Sequence, residues 1–376
     1  MIALHRTQLV VAALLLAASA SAWGQGVTPR TVALGQSAPL SGPARAHGED
    51  IRNGALAYLR RLNDAGGVHG RRIELATLDD AGDPKRALAN THRLVEELRV
   101  FALFGYPAAS VSRELLALVQ QSRTPLFAPV TGAHIARQPG RYVFTIRAGH
   151  ADEVDRVVEH FAQLGLKRFA LVRRNDDEGA EFLEAARAAL RRAGLAAPAS
   201  TVLRPGRVAE AVHEMLVAEA DVILVAAPAG PAAGLLRDLK QSGRGAQLVV
   251  LSLADSAQLA DVLGAGGAGI MLSQVVPPIE RTSLPVVADY RRAMEAETGR
   301  RDYSPASLEA YIAAKVFAEA VRRAGQAPTR DALLLALEAM SGYDAGGYTV
   351  GFSTANRHGN SRIELLAIGR DGKLLH

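Results

Sequence analysis

The chain of 376 residues contains no cysteine. No disulfide framework can brace it, so a hydrophobic core must carry its stability, and 49% hydrophobic residues suffice for one. Charge of a single sign is also scarce. Lys+Arg number 43 against 38 Asp+Glu, a formal net charge of +5. The basic residues are scattered in pairs such as Arg60-Arg61, Arg71-Arg72 and Arg173-Arg174. Nucleic-acid binding asks for a clustered basic face, so no nucleic-acid partner is expected. Long apolar runs are missing too. The only notable one, Leu9 to Ala18, falls well short of the roughly 20 residues that span a bilayer. It follows a short basic start (His5, Arg6) and precedes the small residues Ser19-Ala20-Ser21-Ala22. That pattern predicts a secretory signal peptide over residues 1–22, cleaved after Ala22 or Gly24. A lipid anchor at this junction would need a cysteine, and the periplasm is the expected location.

Catalytic signatures are lacking as well. The one dinucleotide-like string, Gly264-Ala265-Gly266-Gly267-Ala268-Gly269, follows a predicted helix and precedes a strand, the reverse of what a dinucleotide site requires. It reads as a helix stop and tight turn. His213-Glu214 has no second histidine four residues on, and neither a nucleophile elbow nor a phosphate loop is present. The acidic groups Asp79-Asp80 and Asp176-Asp177-Glu178 follow strands, where they can cap the next helix or form a reactive carboxylate pair. No enzyme activity, catalytic residue, cofactor or metal is expected.

What the sequence does contain is a regular alternation. Short apolar runs such as Thr31–Leu34, Val100–Phe104, Phe169–Arg173 and Val222–Ala226 alternate with amphipathic stretches such as Asp50–Asn63, Ala151–Leu164 and Gly179–Arg192. Continuous apolar strands between helices predict α/β architecture with parallel sheets covered on both faces. The series runs from about residue 30 to 147 and again from 148 to 275, which predicts two similar doubly wound lobes, and a helix-rich third follows. Open parallel sheets bind ligands at the carboxyl ends of their strands. The polar loops there are Gln36 to Pro43, Gly105 to Ser110 and Pro129 to Ala133. Ser110 also fits as the N-cap of the next helix.

These loops carry a resemblance. Pro39-Leu40-Ser41-Gly42-Pro43, Asn63-Asp64-Ala65-Gly66-Gly67-Val68-His69-Gly70-Arg71, Leu78-Asp79-Asp80-Ala81-Gly82-Asp83-Pro84 and Leu308-Glu309-Ala310-Tyr311 occur in the order and spacing of the branched-chain amino-acid-binding proteins of ABC importers. The chain resembles that family over nearly all of its mature length. The resemblance implies a type I periplasmic-binding fold with a three-strand hinge. Its lobes would be 30–147 plus 274–346 and 148–273 plus 347–376, with crossings near Arg147, Ser273 and Gly347. It implies a monomer that closes on an amino-acid-like ligand and is recognised by an inner-membrane ABC permease. The alternative, a sensing module of the same fold signalling to a membrane receptor, would call for a fused helix-turn-helix or a membrane span, and neither is read.

Carried over residue by residue, the family's carboxylate-binding positions fall on Ala109, Ser110, Val130, Thr131 and Gly132, and an aromatic contact falls on His47. In the second lobe, two tyrosine positions fall on Glu178 and Pro228. The acid that holds the ligand ammonium falls on Ser252. Glu178 or Asp255 is expected to replace that acid; if neither does, the ligand is a carboxylate without an amine.

Overall fold

In a computed structural model the described residues are 25–375 except Pro139; the expected leader and its junction at Ala22 to Gly24 lie outside them. The first unit runs β1 (Thr31–Ala38), α1 (Arg45–Asp64), β2 (Arg72–Asp79), α2 (Pro84–His92), β3 (Ala102–Phe104), α3 (Arg113–Ser122), β4 (Leu126–Phe127) and β5 (Val143–Phe144). The second runs α4 (His150–Gln163), β6 (Phe169–Arg173), α5 (Asp177–Arg192), β7 (Ala199–Val202), α6 (Val208–Val217), β8 (Val222–Ala226), α7 (Ala229–Gln241), β9 (Gln247–Val250), α8 (Ser256–Leu263) and β10 (Met271–Gln274). The chain then forms α9 (Pro285–Thr298), α10 (Pro305–Arg323), α11 (Arg330–Glu338) and the short strands β11 (Tyr343–Asp344), β12 (Thr349–Val350), β13 (Glu364–Ile368) and β14 (Leu374–Leu375).

Two large sheets result, ordered β2-β1-β3-β4-β5 and β14-β13-β10-β9-β8-β6-β7, and β11 and β12 form a small antiparallel pair. The first is wholly parallel. In the second, β13 pairs antiparallel with β10 and β14 antiparallel with β13. The strands are apolar because both faces are covered: all five residues of β8 are buried. The glycine string forms a turn between α8 and β10, as its sequence order predicts.

Helix α10 is the spine of the first lobe, with Leu308 to Ala314 all buried. It packs so closely on α1 that a Cβ at Gly54 would come 2.0 Å from the Ser307 carbonyl oxygen. Gly48 serves the same end at the start of α1, where a Cβ would meet the Pro39 carbonyl at 2.0 Å. The loop after β1 can therefore lie directly on the helix that carries His47.

Three segments cross between the lobes. The first follows β5. There Thr145 accepts from the Gly359 amide at 2.7 Å and donates its own amide to the Arg357 carbonyl at 3.0 Å. The second follows β10. The third comes later than the expected position near Gly347, because Tyr348, Val350 and Phe352 belong to the first core. It runs from Gly359 to β13. The ring of Phe352 packs against Phe127 and Phe144, which holds this segment on the first lobe. The Tyr348 hydroxyl, 2.8 Å from the Ile146 carbonyl and 3.3 Å from that of Val275, ties the first two crossings together.

Candidate ligand site between the lobes

Segments after β4 and β5 meet segments after β6 and β9 where the carboxyl ends of the two sheets approach each other, across the candidate cleft. Contact between the lobes is direct. The His134 amide donates to Glu181 Oε1 at 2.8 Å, and Ala257 of α8 packs on the first core.

Asp79 organises the first-lobe wall by accepting from the Leu40 and Ala81 amides and the Ser41 hydroxyl. The Ser41 hydrogen bond is the largest influence holding its carboxyl down at about 2. Asp80 is fully buried and accepts from the hydroxyls of Ser37 and Ser110 and from the Gly82 amide. This corrects the expected capping role of Ser110: its proton goes to Asp80, and Ser112 caps α3 by accepting from the Leu115 amide. Neither acid caps a helix; Asp83 caps α2. Ala109 is exposed beside Ser110.

Val130, Thr131 and Gly132 line up behind β4, all buried. Thr131 Oγ1 accepts from the Ala133 amide at 3.1 Å, which leaves its own proton available. Gly132 accepts from the His150 amide at 2.9 Å. A Cβ at this position would come 2.4 Å from the His150 ring, so only glycine fits without displacing it.

Across the cleft, His150 stacks on Phe182 at 4.2 Å and lies 3.5 Å from Glu178 and 3.3 Å from Glu181. Glu178 does not cap α5. Asp176 does, accepting from the Gly179 amide at 2.9 Å. Glu178 instead turns toward His150 and Arg174, and burial is the largest effect on its carboxyl, raising it above the usual range. Asp255 caps α8 through the Gln258 amide. Pro228 is exposed at the start of α7.

Sequence reasoning missed the centre of the cleft floor. Arg147, 7% exposed, donates to Ser252 Oγ at 2.8 Å and lies 3.4 Å from Glu309 of α10. Ser252 passes the contact on. It donates its hydroxyl to Glu153 Oε2 at 2.5 Å and its amide to Glu153 Oε1 at 2.7 Å, and Ser273 donates to Oε1 as well. Ser252 is thus a relay between a cation and a buried acid. Arg137 lies behind, donating to the Arg147 carbonyl; burial, then the Arg147 charge, lowers its pKa to about 10. His47 of α1 is exposed, yet its imidazole is shifted down, first by surrounding protein and then by Arg147. The one sequence signal for this network was Arg147 at the restart of the βα series, where the reading took it for a boundary.

A cavity of about 320 Å³ opens elsewhere, at the amino ends of β8 and β9, lined by Met215, Leu239, Lys240 and Ile270. Ligands of parallel sheets bind at the opposite, carboxyl ends, so the cleft is the better candidate. Among the described residues no group of His, Asp and Glu could hold a metal, and no helix is long and apolar enough to cross a membrane.

The fold is shared with known proteins. The Leu/Ile/Val-binding protein homolog 3 of Brucella melitensis is 24% identical over 313 residues, 81% of this chain and 83% of its own length. The match to Leu/Ile/Val-binding protein BraC3 of Rhizobium johnstonii, also 24% identical, spans 46% of this chain and about half (48%) of that relative. A crystal structure of a substrate-binding periplasmic protein from Ralstonia solanacearum superposes with a TM-score of 0.82 at 32% identity, covering 92% of this chain and 99% of that one. These relatives are binding proteins, not enzymes. The profile described as periplasmic binding protein matches residues 31–373, both lobes and the hinge together, so the chain belongs to the periplasmic binding protein family.

Proposed function

We propose that this chain is a periplasmic solute-binding protein that captures an amino acid or a related small carboxylate or amide between its lobes and delivers it to an ABC permease. The observation that carries the reading is the cleft itself. Loops at the carboxyl ends of both sheets converge there, and Thr131 has a hydroxyl proton to give. Ala109, Ser110, Val130, Thr131 and Gly132 form the first-lobe wall, with His47 at its rim; Glu178, Pro228, Ser252 and Asp255 belong to the second. A ligand held by the first lobe favours closure only through its additional contacts with the second. The closed monomer is the form a permease would recognise. The predicted leader supports a periplasmic location.

The test is a thermal-shift panel of amino acids, small carboxylates and amides on refolded, ligand-free protein. A ligand at 100 times its Kd adds about 2.7 kcal/mol to folding stability. The expected result is a raised Tm for one chemical class, with a smaller radius of gyration by X-ray scattering and no chemical conversion. A panel without any shift, or turnover of a compound, would count against the proposal.

A further inference from the structure

We infer that Arg147 determines ligand specificity: its guanidinium selects a solute that presents a carbonyl or carboxylate oxygen to the cleft floor, and disfavours an α-ammonium there. The inference rests on the solute-binding reading above and narrows its ligand class to carboxylic acids without an α-amine.

A guanidinium has five N–H donors in a fixed fork and accepts nothing. The contacts of Arg147 to the Ala148 carbonyl, Glu309 and Ser252 engage three of them, so N–H groups remain for a ligand oxygen. Its charge is felt from both sides of the cleft, lowering the pKa of His47 on α1 and opposing the rise at Glu178 on α5. The guanidinium thus stands where a bound solute would span the lobes.

An ammonium at this place would need an uncommitted acid, and each of those nearby already faces a protein cation, hydroxyl or backbone amide, with only Glu178 Oε1 and Glu309 Oε1, among their buried oxygens, accepting no hydrogen bond. Glu153 is held by Ser252 and Ser273, and Glu309 faces Arg147. Glu178 lies against His150 and Arg174, and Asp255 caps α8. Arg137, directly behind Arg147, adds a second cation. An ammonium on the floor would meet two arginines whose neighbouring acids already face protein partners, whereas an oxygen would meet donors.

The experiment compares matched pairs that differ only at the α-carbon: L-leucine with 4-methyl-2-oxopentanoate, L-phenylalanine with phenylpyruvate, and L-glutamate with 2-oxoglutarate. Calorimetric titration of refolded full-length protein should give at least tenfold tighter binding of the oxo acid in each pair that binds. The double variant Arg147→Gln/Glu309→Gln keeps hydrogen-bonding groups while removing both charges, and should reduce the preference to under about threefold. Tighter binding of the amino acids by the unaltered protein overturns the inference without needing any variant, and leaves the solute-binding reading standing. Loss of amino-acid binding in Asp50→Asn would then locate the ammonium on α1 instead. An undiminished oxo-acid preference in a cooperatively melting double variant also overturns it. If no pair binds at all, the inference falls, and the solute-binding reading falls with it only if the wider thermal-shift panel also shows no ligand.

Discussion

At Thr131 a single hydroxyl both closes a turn and offers a proton. Replacing it with valine removes that donor and the acceptor of the Ala133 amide while keeping shape and volume. Thr131→Val is expected to weaken ligand binding by about 1–3 kcal/mol, the range for a hydrogen bond to a charged group. Loss of the turn bond should cost folding about 1 kcal/mol, so the variant still melts cooperatively. Titration isotherms unchanged from the parent would show that Thr131 only closes its turn. The sequence resemblance pointed to this residue and to Gly132, whose steric role beside His150 depends on a ring 18 positions away.

Helix α5 separates two acids that look alike in sequence. Asp176 lies at the N-cap and Glu178 in the first turn, and only Asp176 bonds the exposed amides. Asp176→Ala should cost about 1 kcal/mol of folding stability, the usual value of an N-cap, with little change in affinity. Glu178→Gln should change stability by no more than about 1 kcal/mol, since this exchange leaves the cap intact and burial already penalises the charged form. For an oxygen-bearing ligand its affinity should stay within about threefold of the parent. A loss of several kcal/mol in calorimetry would instead identify Glu178 as the partner of a ligand ammonium, because a buried charge would be left unpaired.

The whole molecule carries a pH dependence where its lobes meet. Asp50 of α1 is raised to about 6, chiefly by burial, with the carboxylates of Asp255, Asp302 and Glu49 adding to the rise and the Ser304 hydroxyl opposing it. Its folded pKa lies above the unfolded value near 3.8, so the folded state binds the proton more tightly. The stability this contributes is full below about pH 4 and is lost as pH rises through 6. Asp50→Asn should therefore stabilise the protein by about 2 kcal/mol at pH 7, with the difference vanishing near pH 4. Denaturant melts of both proteins across this range check the sign; a constant difference would remove Asp50 as its source. Because Asp255 belongs to the other lobe, part of the effect should depend on closure and respond to ligand.

Periodicity and loop composition alone determined the two βα series and the helix-rich third, since an apolar strand between amphipathic helices has few ways to hide both faces. They did not determine the third crossing, because only the packing of Phe352 on Phe127 and Phe144 decides which lobe holds residues 348–352. The cleft floor was likewise out of reach. Arg147, Glu153, Ser252 and Glu309 are far apart in the chain and share no local pattern, and a charged network forms only when the hinge brings its members within a few ångströms. Local pattern specifies which surface an element buries; which charges then face one another is a property of the assembled lobes.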